Sequence, residues 1–186
     1  MECIPFESEE SMSQAVRKML AFQRMHNKMI KEINALFSHT ESNMSNSDLA
    51  PVLVRCLYRE FLSLVEADLN LLNHFNPYPG YIEMARLMQK FKKTYRHHAS
   101  TFLKQQLHIK YKSASFEQFI TVKEHRNEFT HPKAAASLSV DETHLTLIKS
   151  VFVTYTDHIN ALMTDIGVST HTPYCADNGK AIPHKK

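Results

Sequence analysis

Length and composition favour a single helical domain. The chain has 186 residues and a formal net charge of +3 at pH 7, with only three glycines and no tryptophan. That length can bury its own hydrophobic core, and so few glycines argue against a turn-rich β fold.

Apolar residues at three- and four-residue spacing predict five helices. The first is expected over residues 9–37, followed by a polar loop over 38–47. The second is expected over 48–75, with Ser47 as its N-cap. It is apolar around most of its circumference, so we expect it at the centre of a bundle. Prolines and a glycine at 76–80 cannot continue a helix and end it.

The third and fourth helices carry the residues of most functional interest. The third is expected over 81–107, with one apolar and one charged side. The fourth is expected over 115–130, beginning at a capping box whose first residue is Ser115. It should end there because His131 precedes Pro132, and a residue before proline disfavours the α conformation.

A second capping box, Ser139 with Glu142, predicts the start of the fifth helix. That helix should run to Ile166, with Gly167 as its C-terminal cap. The sequence beyond it is polar and aperiodic.

The predicted domain organisation is one helical-bundle domain over 9–166, between a flexible N-terminus at 1–8 and a disordered tail at 167–186. No convincing strand pattern occurs, so the predicted fold class is all-α, an up-and-down bundle of four to five helices. The most apolar stretch, Leu49–Phe75, contains five charged residues, which a membrane span would not tolerate. With no secretory signal and no C-x-x-C pair among the three cysteines, we expect a cytoplasmic protein with reduced thiols.

Positive charge is concentrated in the second half of the chain. Residues 86–133 hold eleven lysines and arginines against three glutamates, a net charge of +8, whereas residues 1–75 have a net charge of −3. Several basic side chains of the third helix point within about 60° of one another around the helix axis. Such a stripe could follow a phosphate backbone, although it is also typical of a solvated helix face. The candidate nucleic-acid contacts are Arg86, Lys90, Lys93, His97 and Lys104, together with Lys123 and Lys133 near the fourth helix.

A cation, an amide and an imidazole lie together at the predicted end of the fourth helix. Arg126 stays charged and matches phosphate oxygens with a planar fork of donors, while His131 can exchange protons near neutral pH. Asn127 can orient either of them or bond a ribose oxygen. In an unbroken helix Arg126 and His131 point about 140° apart. Fraying before Pro132 would let His131 swing back, so we expect the proline to help assemble the site.

The run R-N-E-F-T-H from Arg126 to His131 resembles the R-x4-6-H motif of the HEPN superfamily, whose members are helical bundles. The helical order resembles that family over 9–166, although only the motif itself is specific. The resemblance implies a metal-independent endoribonuclease, commonly in toxin–antitoxin, abortive-infection or other defence systems. It also implies a homodimer in which two copies of the motif line one cleft, with an antitoxin as a possible partner.

The reaction that this resemblance implies is attack by the ribose 2′-OH on the adjacent phosphate, with RNA as substrate and no cofactor or metal. His131 would act as general base or acid, and a second copy of His131 would make the complementary proton transfer. Arg126 would neutralise phosphoryl charge and Asn127 would position His131 or the ribose. Lys133 stands where some members carry a modifiable tyrosine, so control by tyrosine modification is not expected.

Two other interpretations remain open. A HEPN-like bundle could bind RNA, a nucleotide or a protein partner without cutting. A purely structural bundle would use Arg126 and His131 only to satisfy helix-end carbonyls and a nearby acid. A di-iron centre would need a second unit like Glu128-x-x-His131, and the sequence has none. We expect Cys56 to be inert core and His125 to point away from the motif to the surface.

Overall fold

The computed structural model describes residues 9–75, 80, 86–98, 114–170, 175–176 and 180–181. These residues form five α-helices, which confirms the predicted all-α class. The helices are α1 (Glu9–Ser42), α2 (Leu49–Phe75), α3 (Leu87–His98), α4 (Ala114–Thr130) and α5 (Glu142–Thr170), with a 3-10 turn (Ala135–Leu138) between α4 and α5. No helix within these described ranges is both long and apolar enough to cross a membrane.

α1 continues past its predicted end at Phe37 and reaches Ser42. Its last hydroxyls bond inside the helix: Thr40 Oγ1 donates to the Leu36 carbonyl at 2.7 Å, and Ser42 Oγ donates to the Ser38 carbonyl at 2.9 Å. Such bonds let serine and threonine remain in a helix. Thr40 is also fully buried, so the segment predicted as a polar loop is partly a packed helical turn.

The N-cap of α2 is Asn46 and not the predicted Ser47. Asn46 Oδ1 accepts the backbone N–H groups of Asp48 at 3.1 Å and Leu49 at 3.0 Å. These N–H groups have no partner within the helix, and an amide oxygen satisfies two of them.

The N-cap of α5 is Asp141, so the predicted capping box of Ser139 with Glu142 is wrong. Asp141 Oδ1 accepts the backbone N–H groups of Thr143 at 3.0 Å and His144 at 3.2 Å. Ser139 instead follows the 3-10 turn in an extended conformation. A carboxylate at this position also faces the positive end of the helix dipole, which favours it over a hydroxyl.

The predicted ends of two other helices also differ from the structure. α5 passes through Gly167 to Thr170, because one glycine costs a helix only about 1 kcal/mol relative to alanine. In the segment predicted as the disordered tail, two short strands, β1 (Cys175–Ala176) and β2 (Lys180–Ala181), pair antiparallel. The third predicted helix is described as α3 alone; its expected remainders at 81–85 and 99–107 lie outside the described residues.

The chain divides into two compact units. Unit 1 comprises Met1–Met25, Leu69–Leu107 and Ile159–Lys186, and unit 2 comprises His26–Asp68 and His108–His158. In unit 1, Phe91 and Thr94 of α3 are buried. The predicted motif from Arg126 to His131 lies in unit 2.

Phe61 of α2 is the centre of the unit 2 core and is fully buried. Its ring packs edge-to-face on Phe119 of α4 at 6.0 Å and on Phe152 and Tyr155 of α5 at 6.1 and 5.5 Å. Phe152 in turn contacts Phe37 of α1 at 5.4 Å. Aromatic pairs in this geometry stabilise a fold by more than the burial of their apolar surface alone. These contacts form one cluster that joins all four helices of unit 2.

A buried polar network crosses the same unit. Asp68 of α2 has no exposed surface, and its two carboxylate oxygens lie 3.0 and 2.9 Å from His26 Nδ1. Tyr155 Oη donates to Asp68 Oδ2 at 2.8 Å. Burial raises the pKa of Asp68, and the bonds from His26 and Tyr155 partly offset that rise. The network therefore supplies the partners that a buried carboxyl group requires.

We predict that removing the carboxyl group destabilises the fold more than removing one of its donors. Asp68→Ala should lower the free energy of unfolding by about 3 to 5 kcal/mol, because it removes the buried carboxylate that His26 and Tyr155 contact. Tyr155→Phe should cost about 1 to 3 kcal/mol. Urea unfolding monitored by circular dichroism measures both, with the exposed Asp157→Ala on α5 as the control. An Asp68→Ala protein as stable as this control would contradict the prediction.

Candidate functional site

The three residues of the predicted motif lie at the end of α4, with Arg126 and Asn127 in the helix and His131 directly after its last residue. The His131 N–H donates to the Asn127 carbonyl at 2.9 Å, so helical hydrogen bonding reaches the residue before Pro132. Thr130 Oγ1 adds a bond to the Arg126 carbonyl at 2.7 Å. The expectation that fraying would turn His131 back toward Arg126 is therefore wrong for the single chain. His131 is exposed, and no hydrogen bond in the described part of the chain joins its ring to Arg126 or Asn127.

The guanidinium group of Arg126 is half-buried and has no acidic partner among the described residues. Among the described residues, its side chain makes one long hydrogen bond, from Nη1 to Asn127 Oδ1 at 3.4 Å. Its Nε is buried without a hydrogen-bond partner in the described structure. Buried N–H groups in proteins almost always have a partner, so this unsatisfied donor makes Arg126 a candidate functional side chain. Asn127, beside it, is exposed.

A contact from α2 holds the connection that follows His131. Arg55 Nη1 donates to the Leu138 carbonyl at 3.0 Å, which fixes the end of the 3-10 turn. Pro132 and Lys133 are exposed before it. The connection after His131 is therefore exposed where it begins, and at Leu138 it is hydrogen-bonded to α2.

Tyr58 joins α2 to α4 and α5 beside the motif. This residue is fully buried, and its hydroxyl donates to the His144 carbonyl at 3.0 Å. Its ring packs edge-to-face on Phe129 at 5.2 Å and lies 5.9 Å from the ring of His125. The rings of His125 and His144 are themselves only 4.8 Å apart.

The prediction that His125 lies on the surface is wrong. His125 is half-buried against Tyr58 and His144, because positions 125 and 129 lie one turn apart on the face of α4 that packs inward. Burial lowers the pKa of His125, and the charge that His144 can carry lowers it further, against weaker opposing effects of Glu128 and other acids. At neutral pH its ring is therefore uncharged.

The carboxyl group of Asp141 is the acidic group of this cluster. Its Oδ1 accepts from Thr143 Oγ1 at 2.5 Å and lies 2.7 Å from Nδ1 of His144. These two bonds hold the pKa of Asp141 far below its usual range. Asp141 is thus ionised at any pH near neutrality.

The predicted basic stripe is only partly exposed. Arg86 and Lys93 are exposed, whereas Lys90 and His97 are half-buried, and burial lowers the pKa of His97. Lys104 lies outside the described residues. These positions belong to unit 1, while the motif belongs to unit 2, which also contains the half-buried Lys123 and the exposed Lys133.

Sequence reasoning missed Tyr58, Asp141 and His144. A signal for two of them exists in the sequence, because Asp-x-x-His at a helix start places the N-cap and third residues as neighbours, as in a capping box. Tyr58 has no such signal, since its contacts reach residues 67 and 86 positions away.

Comparisons with known proteins do not decide the function. No family model matches the chain, and neither a curated protein nor a solved structure shows significant similarity to it. In the described part of the chain, no group of three or more His, Cys, Asp or Glu side chains is arranged to hold a metal ion. The side chains at the end of α4 and the start of α5 therefore carry the functional argument.

We predict that Asp141 makes stability depend on pH in the acid range. Its folded-state pKa is lowered, so the stabilisation is present above the unfolded value, about pH 4, and is lost as pH falls below it. Asp141→Asn keeps an N-cap oxygen but has no titrating carboxyl group. Between about pH 5 and pH 2.5, the melting temperature of the wild type should therefore fall more than that of the variant. Parallel melting curves would contradict this assignment.

Proposed function

We propose that the protein is a metal-independent endoribonuclease of the HEPN type, with a role in toxin–antitoxin or anti-phage defence. The observation that carries the proposal is the guanidinium group of Arg126, which has no acidic partner in the described structure and lies near the end of α4, five positions before the exposed His131. A purely structural arginine at this place would be expected to pair with an acid or a carbonyl group.

The proposed chemistry follows from the side chains of Arg126, Asn127 and His131. RNA carries its own nucleophile, so the protein has to position the phosphate, neutralise its growing charge and move two protons. Arg126 is suited to the phosphoryl oxygens because its donors form a planar fork. His131 is exposed and can take the proton of the 2′-OH. Asn127, which accepts from Arg126 at 3.4 Å, orients the guanidinium group or bonds the ribose.

A second imidazole has to complete the reaction by protonating the leaving 5′ oxygen. The HEPN resemblance assigns this role to His131 of a second subunit, in a homodimer whose two motifs share one cleft. The regular end of α4 supports an intermolecular arrangement, because the His131 ring makes no described hydrogen bond to Arg126 in its own chain. Lys133, which is exposed in the same unit as the motif, would add affinity for RNA by a phosphate contact.

A recognition module is the second candidate. The same separation of Arg126 from the His131 ring favours it, because an arginine can hold phosphate without an adjacent proton-transfer group. Such a module would bind RNA with an affinity that falls steeply with salt and would leave the strand intact.

The test is cleavage of total cellular RNA and tRNA by the purified protein in excess EDTA. We predict that the wild type cuts and leaves 2′,3′-cyclic phosphate and 5′-OH ends. Arg126→Ala should lower the rate about 10²- to 10³-fold through loss of charge stabilisation. His131→Ala should lower it about 10²- to 10⁴-fold through loss of proton transfer.

His39→Ala is the matched control, because His39 is an exposed histidine on α1 of the same unit. Binding without cleavage by the wild type would favour the recognition module. Equal cleavage by all four proteins would mean that the activity comes from another site or a contaminant, and the proposed function would be wrong.

A further inference from the structure

The imidazole of His144 lies beside the turn of α4 that carries the proposed phosphate site. Its ring centroid is 4.8 Å from that of His125 and 5.9 Å from that of Phe129, which are one turn apart on α4. Arg126 and Asn127 lie between those two residues in the chain. A second histidine, from a different helix, therefore packs against the same turn of α4 from which Arg126 and Asn127 project.

Asp141 orients the ring of His144. The Asp141 carboxylate oxygen lies 2.7 Å from His144 Nδ1, whereas the Asp141 backbone N–H lies 3.3 Å from the same nitrogen. The contact with the charged acceptor is the stronger one, so we assign a proton to Nδ1 and donation to the carboxylate. The other nitrogen, Nε2, takes part in no hydrogen bond of the described residues, and 21% of the side chain is exposed.

His125 packs against the ring of His144, and Tyr58 bonds the His144 backbone carbonyl. The single hydroxyl proton of Tyr58 is donated to the His144 carbonyl at 3.0 Å. Toward His125 Nδ1, 3.5 Å away, the tyrosine oxygen can therefore only accept. This contact places a proton on His125 Nδ1.

We propose that His144 is the general acid of the ribonuclease and donates its Nε2 proton to the 5′ oxygen that leaves phosphorus. This assignment rests on the nuclease function proposed above. His131 takes the proton of the 2′-OH, and the 2′ oxygen bonds to phosphorus. The bond from phosphorus to the 5′ oxygen breaks, and the oxygen keeps the electron pair and takes the proton of His144. The products are a 2′,3′-cyclic phosphate and a 5′-OH, and both imidazoles recover their protonation states from water.

His131 is then the base and His144 the acid, so the second proton transfer does not come from a second copy of His131. Asp141, Tyr58 and His125 are positioning residues in this scheme, since Asp141 and His125 contact the His144 ring and Tyr58 bonds its backbone carbonyl. A carboxylate that fixes an imidazole also stabilises its protonated form, which an acid catalyst requires.

The experiment compares two RNA oligonucleotides in EDTA, one ordinary and one with sulfur in place of the leaving 5′ oxygen at a single linkage. A thiolate leaves without a proton at neutral pH, because a thiol pKa is about 8.5. We expect His144→Gln to lower kcat on ordinary RNA about 10²- to 10⁴-fold with little change in KM. On the sulfur substrate, the same variant should cut at close to the wild-type rate, whereas Arg126→Ala should remain slow on both.

Asp141→Asn tests the positioning role without removing the helix cap, since asparagine is as good an N-cap as aspartate. It should lower kcat on ordinary RNA by less than His144→Gln does, and the sulfur substrate should restore its rate. His39→Gln is the control for loss of an exposed histidine. Circular dichroism and urea unfolding check that each variant is folded.

The outcomes separate this assignment from the nuclease proposal. If the wild type cuts and Arg126→Ala does not, but His144→Gln cuts ordinary RNA normally, the general-acid role is wrong and the nuclease proposal stands. If His144→Gln is equally slow on both substrates, the residue has a structural role and the assignment is again overturned. If the wild type cuts neither substrate, both proposals fail.

Discussion

The side chain of Tyr58 determines where the candidate catalytic groups lie. It is buried in α2, and with one ring and one hydroxyl it contacts Phe129 and His125 of α4 and the backbone of His144 in α5. Desolvation raises the pKa of its hydroxyl, so the group remains a donor at any pH at which the protein would act. Because the same residue contacts both helices, the end of α4 and the start of α5 keep a defined spacing.

Polar contacts on either side of Tyr58 complete this frame. Asp141 caps α5 and orients His144, and Arg55 fixes the turn that follows the motif. Deeper in the same unit, Asp68 is satisfied by His26 and Tyr155. Each of these contacts joins residues from different elements or from a loop and a helix, and the bonds of Arg55 and Asp141 hold the turn after the motif and the start of α5. A preorganised support of this kind is what charge stabilisation in a reaction requires.

Local sequence signals predicted the helices well and their details less well. The period of apolar residues identified all five helices, and Pro132 predicted that α4 ends near Phe129 or Thr130, as it does. The caps were misplaced because Asn46 and Ser47 are adjacent and both are good N-caps, so only the hydrogen bonds could decide. His125 was misjudged because the side of α4 that packs inward depends on α2 and α5, which helical periodicity within α4 does not report. The contacts of Tyr58 and Asp68 join residues far apart in the chain, and no local pattern predicts them.

The proposed cleavage uses the 2′-OH of the RNA strand itself as the nucleophile. The most direct measurement is incubation of the protein in EDTA with a DNA oligonucleotide that contains one ribonucleotide. We predict a single cut on the 3′ side of that ribonucleotide, a 2′,3′-cyclic phosphate on the 5′ fragment, and no cut when its 2′-OH is methylated. Cleavage of the methylated strand, or cuts at the deoxynucleotides, would contradict the account.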